Sequence, residues 1–144
     1  MPNLSISKVR LVEKGELMTW AAAETLVEGN IARLDANGKA TGANATTAAE
    51  GTWAGIVTDD TQPGVVEVAG DGCLLYLEKS DGTNALADMN PGDHVYLSDT
   101  DKTLADATGT ETITVGEVSF LQTYGGGTKL FRVRRQVIDR VGGA

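Results

Sequence analysis

No part of this chain runs far before a turn-forming residue interrupts it. Asn37-Gly38, Pro63-Gly64, Gly70-Asp71-Gly72, Asp81-Gly82, Asn90-Pro91-Gly92-Asp93 and Gly125-Gly126-Gly127 cut it into short segments. Gly and Asn reach the left-handed backbone that tight hairpins need, and Pro presets the φ of a turn. Inside the segments apolar residues alternate, as in Val66-Glu67-Val68 and Phe131-Arg132-Val133, rather than recurring at helical spacing. With 18 Gly and only 5% aromatic residues, the composition suits tight turns and small side chains better than a helical bundle. The pattern predicts an all-β fold, a small barrel or sandwich.

Strands are expected over Asn30–Leu34, Trp53–Thr58, Val65–Ala69, Cys73–Glu78, His94–Ser98, Thr112–Leu121 and Lys129–Ile138. Cys73–Glu78 is the most apolar and is expected to be central. Residues 40–52 and 98–111 are small and polar and read as surface loops. Residues 16–26 are ambiguous: Ala21-Ala22-Ala23 favours a helical turn, but Gly15 and Gly29 bracket a short segment. Residues 15–138 form the expected domain, with 139–144 a flexible tail.

Length and composition exclude several function classes. A chain of 144 residues buries about two-thirds of its unfolded surface and needs no disulfide or metal to fold. The single cysteine, Cys73, allows no internal disulfide, and the single histidine, His94, allows no two-His metal site. No apolar run approaches the roughly 18 residues of a membrane span, and Met1-Pro2-Asn3-Leu4 opens no signal-peptide core. The net charge of −8 argues against a nucleic-acid partner.

The motifs that suggest chemistry each have a simpler account. Gly125-Gly126-Gly127-Thr128-Lys129 lacks phosphate-loop spacing and precedes a strand, so it reads as a hairpin turn. Ser98-Asp99-Thr100-Asp101 lacks the glycine and terminal Glu of a calcium loop. Asp59, Asp60, Asp71, Asp81 and Asp93 each lie in a turn, where a carboxylate caps backbone N–H groups. His94 at a strand start and Cys73 in an apolar strand read as structural. The expectation is a binding or structural protein without cofactor or metal, and not an enzyme.

Charge is unevenly distributed. Residues 1–14 and 129–144 together hold eight Lys/Arg against two acids, and residues 15–128 hold four against eighteen. Basic ends of this kind suit an acidic partner. Leu4 and Ile6 alternate, and so do Val9 and Leu11 after a one-residue slip, with no turn signal between the pairs. Residues 1–14 therefore read as an extended N-terminal arm, outside the core, that can add a strand to another sheet.

The chain also repeats itself. Gly29-Asn30-Ile31-Ala32-Arg33-Leu34 matches Gly92-Asp93-His94-Val95-Tyr96-Leu97, with Lys39 and Lys102 following. Ala54-Gly55-Ile56-Val57 then matches Val115-Gly116-Glu117-Val118, and Val66-Glu67-Val68 matches Phe131-Arg132-Val133. Two copies are too few for a solenoid and suit one small domain built from two related halves.

These segments, with Asp35-Ala36-Asn37-Gly38-Lys39, Trp53–Asp59 and Ala107-Thr108-Gly109, resemble in order and spacing the capsid cement, or head decoration, proteins of tailed bacteriophages. The resemblance covers roughly residues 20–137. It implies a β-rich homotrimer on the outer surface of the expanded head, made in the host cytoplasm, that stabilises the shell by bridging major capsid protein subunits. It implies capsid contact through an N-terminal arm. The residues that fit such a role are Leu4, Ile6, Lys8, Val9 and Arg10 at one end, and Arg132, Arg134 and Arg135 at the other. Trp20 is the candidate for the oligomer interface, where Trp is enriched. The alternative is a phage tail or surface module that recognises a glycan or protein. A sugar site favours exposed aromatics on loops, and residues 40–52 and 98–111 contain none.

Overall fold

A computed structural model describes residues 3–135 as an all-β fold of eleven strands. These are β1 (Lys8–Glu13), β2 (Leu17–Ala21), β3 (Ile31–Leu34), β4 (Ala40–Gly42), β5 (Trp53–Asp59), β6 (Val65–Ala69), β7 (Leu74–Glu78), β8 (His94–Leu97), β9 (Leu104–Ala105), β10 (Thr114–Ser119) and β11 (Leu130–Val133). One sheet has the order β1-β7-β11-β10-β8-β9 and the other β2-β6-β5-β3-β4. The expected tail over 139–144 and the end of the strand expected to reach Ile138 lie outside the described residues.

The two related halves are present as two units of identical topology. β2 to β6 pair in the order β2-β6-β5-β3-β4, and β7 to β11 in the order β7-β11-β10-β8-β9. The correspondence extends to single hydrogen bonds. Gly29 N–H donates to the Val57 carbonyl and Val57 N–H returns a bond to Asn30, as Gly92 and Val118 do with Val118 and Asp93. Asn30 accepts the Val27 N–H through its side chain at 2.8 Å, and Asp93 accepts that of Asn90 at 2.8 Å. Gly29 and Gly92 adopt φ of 96° and 86°, a conformation open to glycine at little strain. At Gly55 and Gly116 the neighbouring strand approaches so closely that a Cβ would overlap the carbonyl oxygens of Ala69 and Arg132. The repeated Gly-(Asn/Asp) and x-Gly-x-Val motifs are thus the turn and the close strand contact of one unit, used twice.

Alternation of side chains across each strand gives the first unit two buried faces. Ala32, Val57, Val66 and Val68 join Leu26 and Ala40 in a small core inside that unit. Ile31, Ile56 and Ala69 point the other way, into the main core with Leu75, Leu77, Val95, Leu97, Val118, Phe131 and Val133 of the second unit. The fold is therefore cemented where the outer face of one unit closes the core of the other. Burial of this apolar surface, at about 25 cal/mol per Å², is its main stabilisation.

Several expectations are corrected here. The segment 1–14, expected to stand outside the core, lies along the body over its described part. β1 pairs antiparallel with β7, Val9 is only 8% exposed, and Leu4 and Ile6 pack on the main core. Residues 17–21, near the suggested helical turn, form β2 because Trp20 and Met18 pair with Val66 and Val68 of β6. Residues 40–52 are not simply a surface loop: Ala43 and Ala45 are fully buried, and Ala45 N–H donates to the Ser98 carbonyl of the second unit. Small residues are required where the units meet this closely. β7 is an interior strand, flanked by β1 and β11.

Candidate attachment surface

The expected contact residues separate into buried and exposed sets. Leu4, Ile6 and Val9 fill space in the main core, and the Val9 N–H is held by the Glu28 carboxylate at 2.7 Å. Lys8 and Arg10 are exposed on β1. The Arg10 guanidinium stands 5.9 Å from the Tyr76 ring, which in turn lies 6.4 Å from Tyr124. Together Lys8, Arg10, Glu28, Tyr76 and Glu78 border a shallow depression of about 120 Å³ beside the β1 edge. Because Val9 N–H points away from β7, the two-residue period turns the backbone groups of Leu11 to the same open side. Leu11 is 40% exposed there.

The basic residues near the other end are partly committed to the fold. Arg132 is half-buried, pairs with Glu13 at 3.1 Å and donates to the Gly72 carbonyl at 3.0 Å. Arg134 pairs with Glu117 at 3.2 Å with its side chain 61% exposed. Arg135 lies 5.0 Å from the centre of the buried Trp53 ring, while its backbone N–H is taken by Asp71 at 2.6 Å. The structure brings Arg132 to the end of β1 through Glu13 and leaves Lys8 and Arg10 further along that strand. Trp20 is half-buried and packs against the smaller core. Tyr76, Tyr124 and Glu28 were not singled out in sequence, because only the fold carries residues this far apart in the chain to the β1 edge.

Of the acids named from sequence, Asp59, Asp81 and Asp93 hold their own turns, whereas Asp60 and Asp71 reach to distant segments. Asp59 and Asp81 each accept the N–H and hydroxyl of the Thr two residues on. Those hydroxyl bonds, then the N–H bonds, hold both carboxyls below the usual Asp range. Asp60 accepts from Glu28 N–H, Asp71 from Arg135 and Asp93 from Asn90. Glu24 does more. It accepts from the Thr41 hydroxyl at 2.5 Å and Gly42 N–H at 2.8 Å, and it pairs with Lys102 at 3.2 Å. The Thr41 hydroxyl is the largest cause of a pKa near 2. Lys102 is thus a strut between the units, with φ of 66°. Burial raises the Cys73 thiol, which sits between Gly15 N–H and the Glu16 carbonyl.

Among the described residues no three His, Cys, Asp or Glu side chains converge as metal ligands, and no helix is long and apolar enough to cross a membrane. A groove of about 350 Å³ runs over the first unit past Ala22, Glu24, Leu26, Asp60, Pro63 and Val65. Fold and surface together define a duplicated, two-sheet all-β protein with a basic strand at one sheet edge. No protein-family model, curated protein or solved structure matches the chain.

Proposed function

We propose that the protein is a phage head decoration protein that binds the outer capsid surface and stabilises it by bridging major capsid subunits. The observation that carries this reading is the β1 edge, where the outward side of the strand at Leu11, beyond the Val9 N–H already held by Glu28, and exposed Lys8 and Arg10 offer backbone pairing and positive charge together. Strand addition supplies affinity through main-chain hydrogen bonds, and acidic side chains on the partner strand complement the flanking cations. The attachment set becomes Lys8, Arg10, Leu11 and the exposed Arg134 and Arg135, because Leu4, Ile6 and Val9 serve the core and Arg132 is held by Glu13. Trp20 remains the proposed self-contact of a homotrimer, whose several weak arms add by avidity.

Co-sedimentation with expanded empty heads tests the reading. The double variant Lys8→Ala/Arg10→Ala should bind at least several-fold more weakly than wild type, and Lys39→Ala should bind like wild type. Absence of binding by the wild-type protein, or equal losses for both variants, would refute it. The glycan-binding reading is favoured by one observation, the Tyr76–Tyr124 pair beside Arg10. Saccharide binding lost on Tyr124→Ala, without binding to heads, would establish that reading instead.

A further inference from the structure

Residues 3–13 clasp both edges of the five-stranded β7-β11-β10-β8-β9 part of the sheet. Asn3 bridges Ala105, and Leu4 N–H donates to the Leu104 carbonyl at 2.8 Å, both on the β9 edge. Ser7 N–H then donates to the Glu78 carbonyl at 2.8 Å, and β1 continues along the β7 edge from Lys8 opposite Glu78 to Leu11 opposite Leu75. The Asn3 side chain accepts the hydroxyl of the buried Ser98 at 2.7 Å and donates to Thr100 at 3.0 Å. Leu4, Ile6 and Val9 complete the main core between these edges.

The segment is joined to the body by Lys14 alone. Gly15 is already fixed, its N–H on the Cys73 sulfur at 3.2 Å, and Glu16 N–H is on the Asp71 carbonyl at 3.0 Å. A rotation of the backbone about Lys14 would redirect residues 3–13 without disturbing β2. The groove they leave has a demonstrated occupant of matching pattern, namely this sequence, with Lys8 set against Glu78 and Asn3 against Ser98.

We propose that residues 3–13 are an exchangeable strap, which in the assembled protein fills the groove of a second copy instead of its own. Every hydrogen bond and apolar contact of the strap is reproduced in the exchanged form, so exchange sacrifices no contact and is favoured by protein concentration. The strap couples folding of one copy to its neighbour. This inference stands apart from capsid attachment, since it concerns self-assembly of the free protein.

Cysteine pairs across the strap decide it. Lys8→Cys/Glu78→Cys and Arg10→Cys/Tyr76→Cys each join residues that face one another between β1 and β7. The full chain is assembled at high concentration, oxidised, and run on a denaturing gel without reductant. Exchange predicts covalent species of two or more chains that collapse on reduction to the 15.0 kDa chain. Oxidised protein at the single-chain mass for both pairs, or no disulfide in either, overturns the proposal. Light scattering of the wild-type chain at the same concentration must also exceed one chain, and a single-chain mass overturns it as well.

Discussion

The position of residues 3–13 makes a prediction that sets two neighbours on one strand against each other. Val9 is 8% exposed and packs in the main core, and Leu11, two residues on, is 40% exposed. Val9→Ala removes two carbon groups from a close-packed site. At about 0.8 kcal/mol for each, with a further contribution from the incompletely refilled space, the loss is about 2 kcal/mol. For a domain of this size that lowers Tm by about 6–8 °C. Leu11→Ala removes three carbon groups from a place where water already reaches, and with 40% of the residue exposed and no enclosed space left behind it should lower stability by no more than about 1.4 kcal/mol. Urea unfolding followed by tryptophan fluorescence reads both, with unchanged m-values confirming a common unfolded state. Equal effects, or a Val9→Ala loss below about 0.5 kcal/mol, would refute the placement of this strand in the core. Removal of residues 3–13 altogether takes Leu4, Ile6 and the Asn3–Ser98 bond as well, and should abolish the cooperative transition.

Three further outcomes are expected. Gly116→Ala places a methyl against the Arg132 carbonyl and the Phe131 ring and should destabilise by at least about 2 kcal/mol, whereas Gly38→Ala, at φ of 77° in open space, should lose about 1 kcal/mol; thermal unfolding compares them. Glu24 has its folded pKa lowered from 4.5 to about 2, so its contribution is complete above pH 4.5 and fades as the pH falls toward 2. Since its side chain is 38% exposed, the loss is discounted to about 1–2 kcal/mol, and urea titrations at pH 5 and pH 2.5 should show it in wild type and not in Glu24→Gln. Ile56→Glu buries an unpaired carboxylate in the main core and should prevent folding, while Glu117→Ile removes only a surface ion pair and should change Tm by less than about 4 °C, as circular dichroism will show.

What could be read in sequence was local. Asn37-Gly38, Gly29-Asn30 and Gly92-Asp93 specify turns through their own backbone preferences, and the order of such turns exposed the duplication. The slip between Leu4/Ile6 and Val9/Leu11 was visible too, but its cause was not. Residues 3–4 pair with β9 and residues 8–13 with β7, so the strap changes partner strand just where the alternation breaks. Residues 40–52 look uninteresting because alanine has little to bury. Gly42 nonetheless sits against Asp101 and Lys102, and Gly109 against Asp99 and Ala45, contacts that larger residues would push apart. The basic C-terminal residues were legible as charge. That Glu13, 119 residues away, would neutralise Arg132 was not, because no local pattern encodes a partner at such separation.

Comparison of the two units shows where recognition has room to reside. Ile31, Ile56 and Ala69 form one cross-strand row in the first unit, with Ile31 opposite Ile56 and Ile56 opposite Ala69. By strand register, the corresponding row in the second unit is His94, Glu117 and Arg132, with His94 again opposite Glu117 and Glu117 opposite Arg132. The pairing is the same, but the first row is sealed inside the main core, whereas in the second His94 is exposed, Glu117 pairs with Arg134 and Arg132 with Glu13. A face packed against another unit must be apolar, since an unpaired buried charge is worth several kcal/mol of instability. The second row escapes that demand and can carry imidazole, carboxylate and guanidinium. Duplication therefore accounts for the fold, and the differences between its copies account for the surface: the first unit spends this face on holding the molecule together, which leaves the corresponding face of the second free to meet a partner.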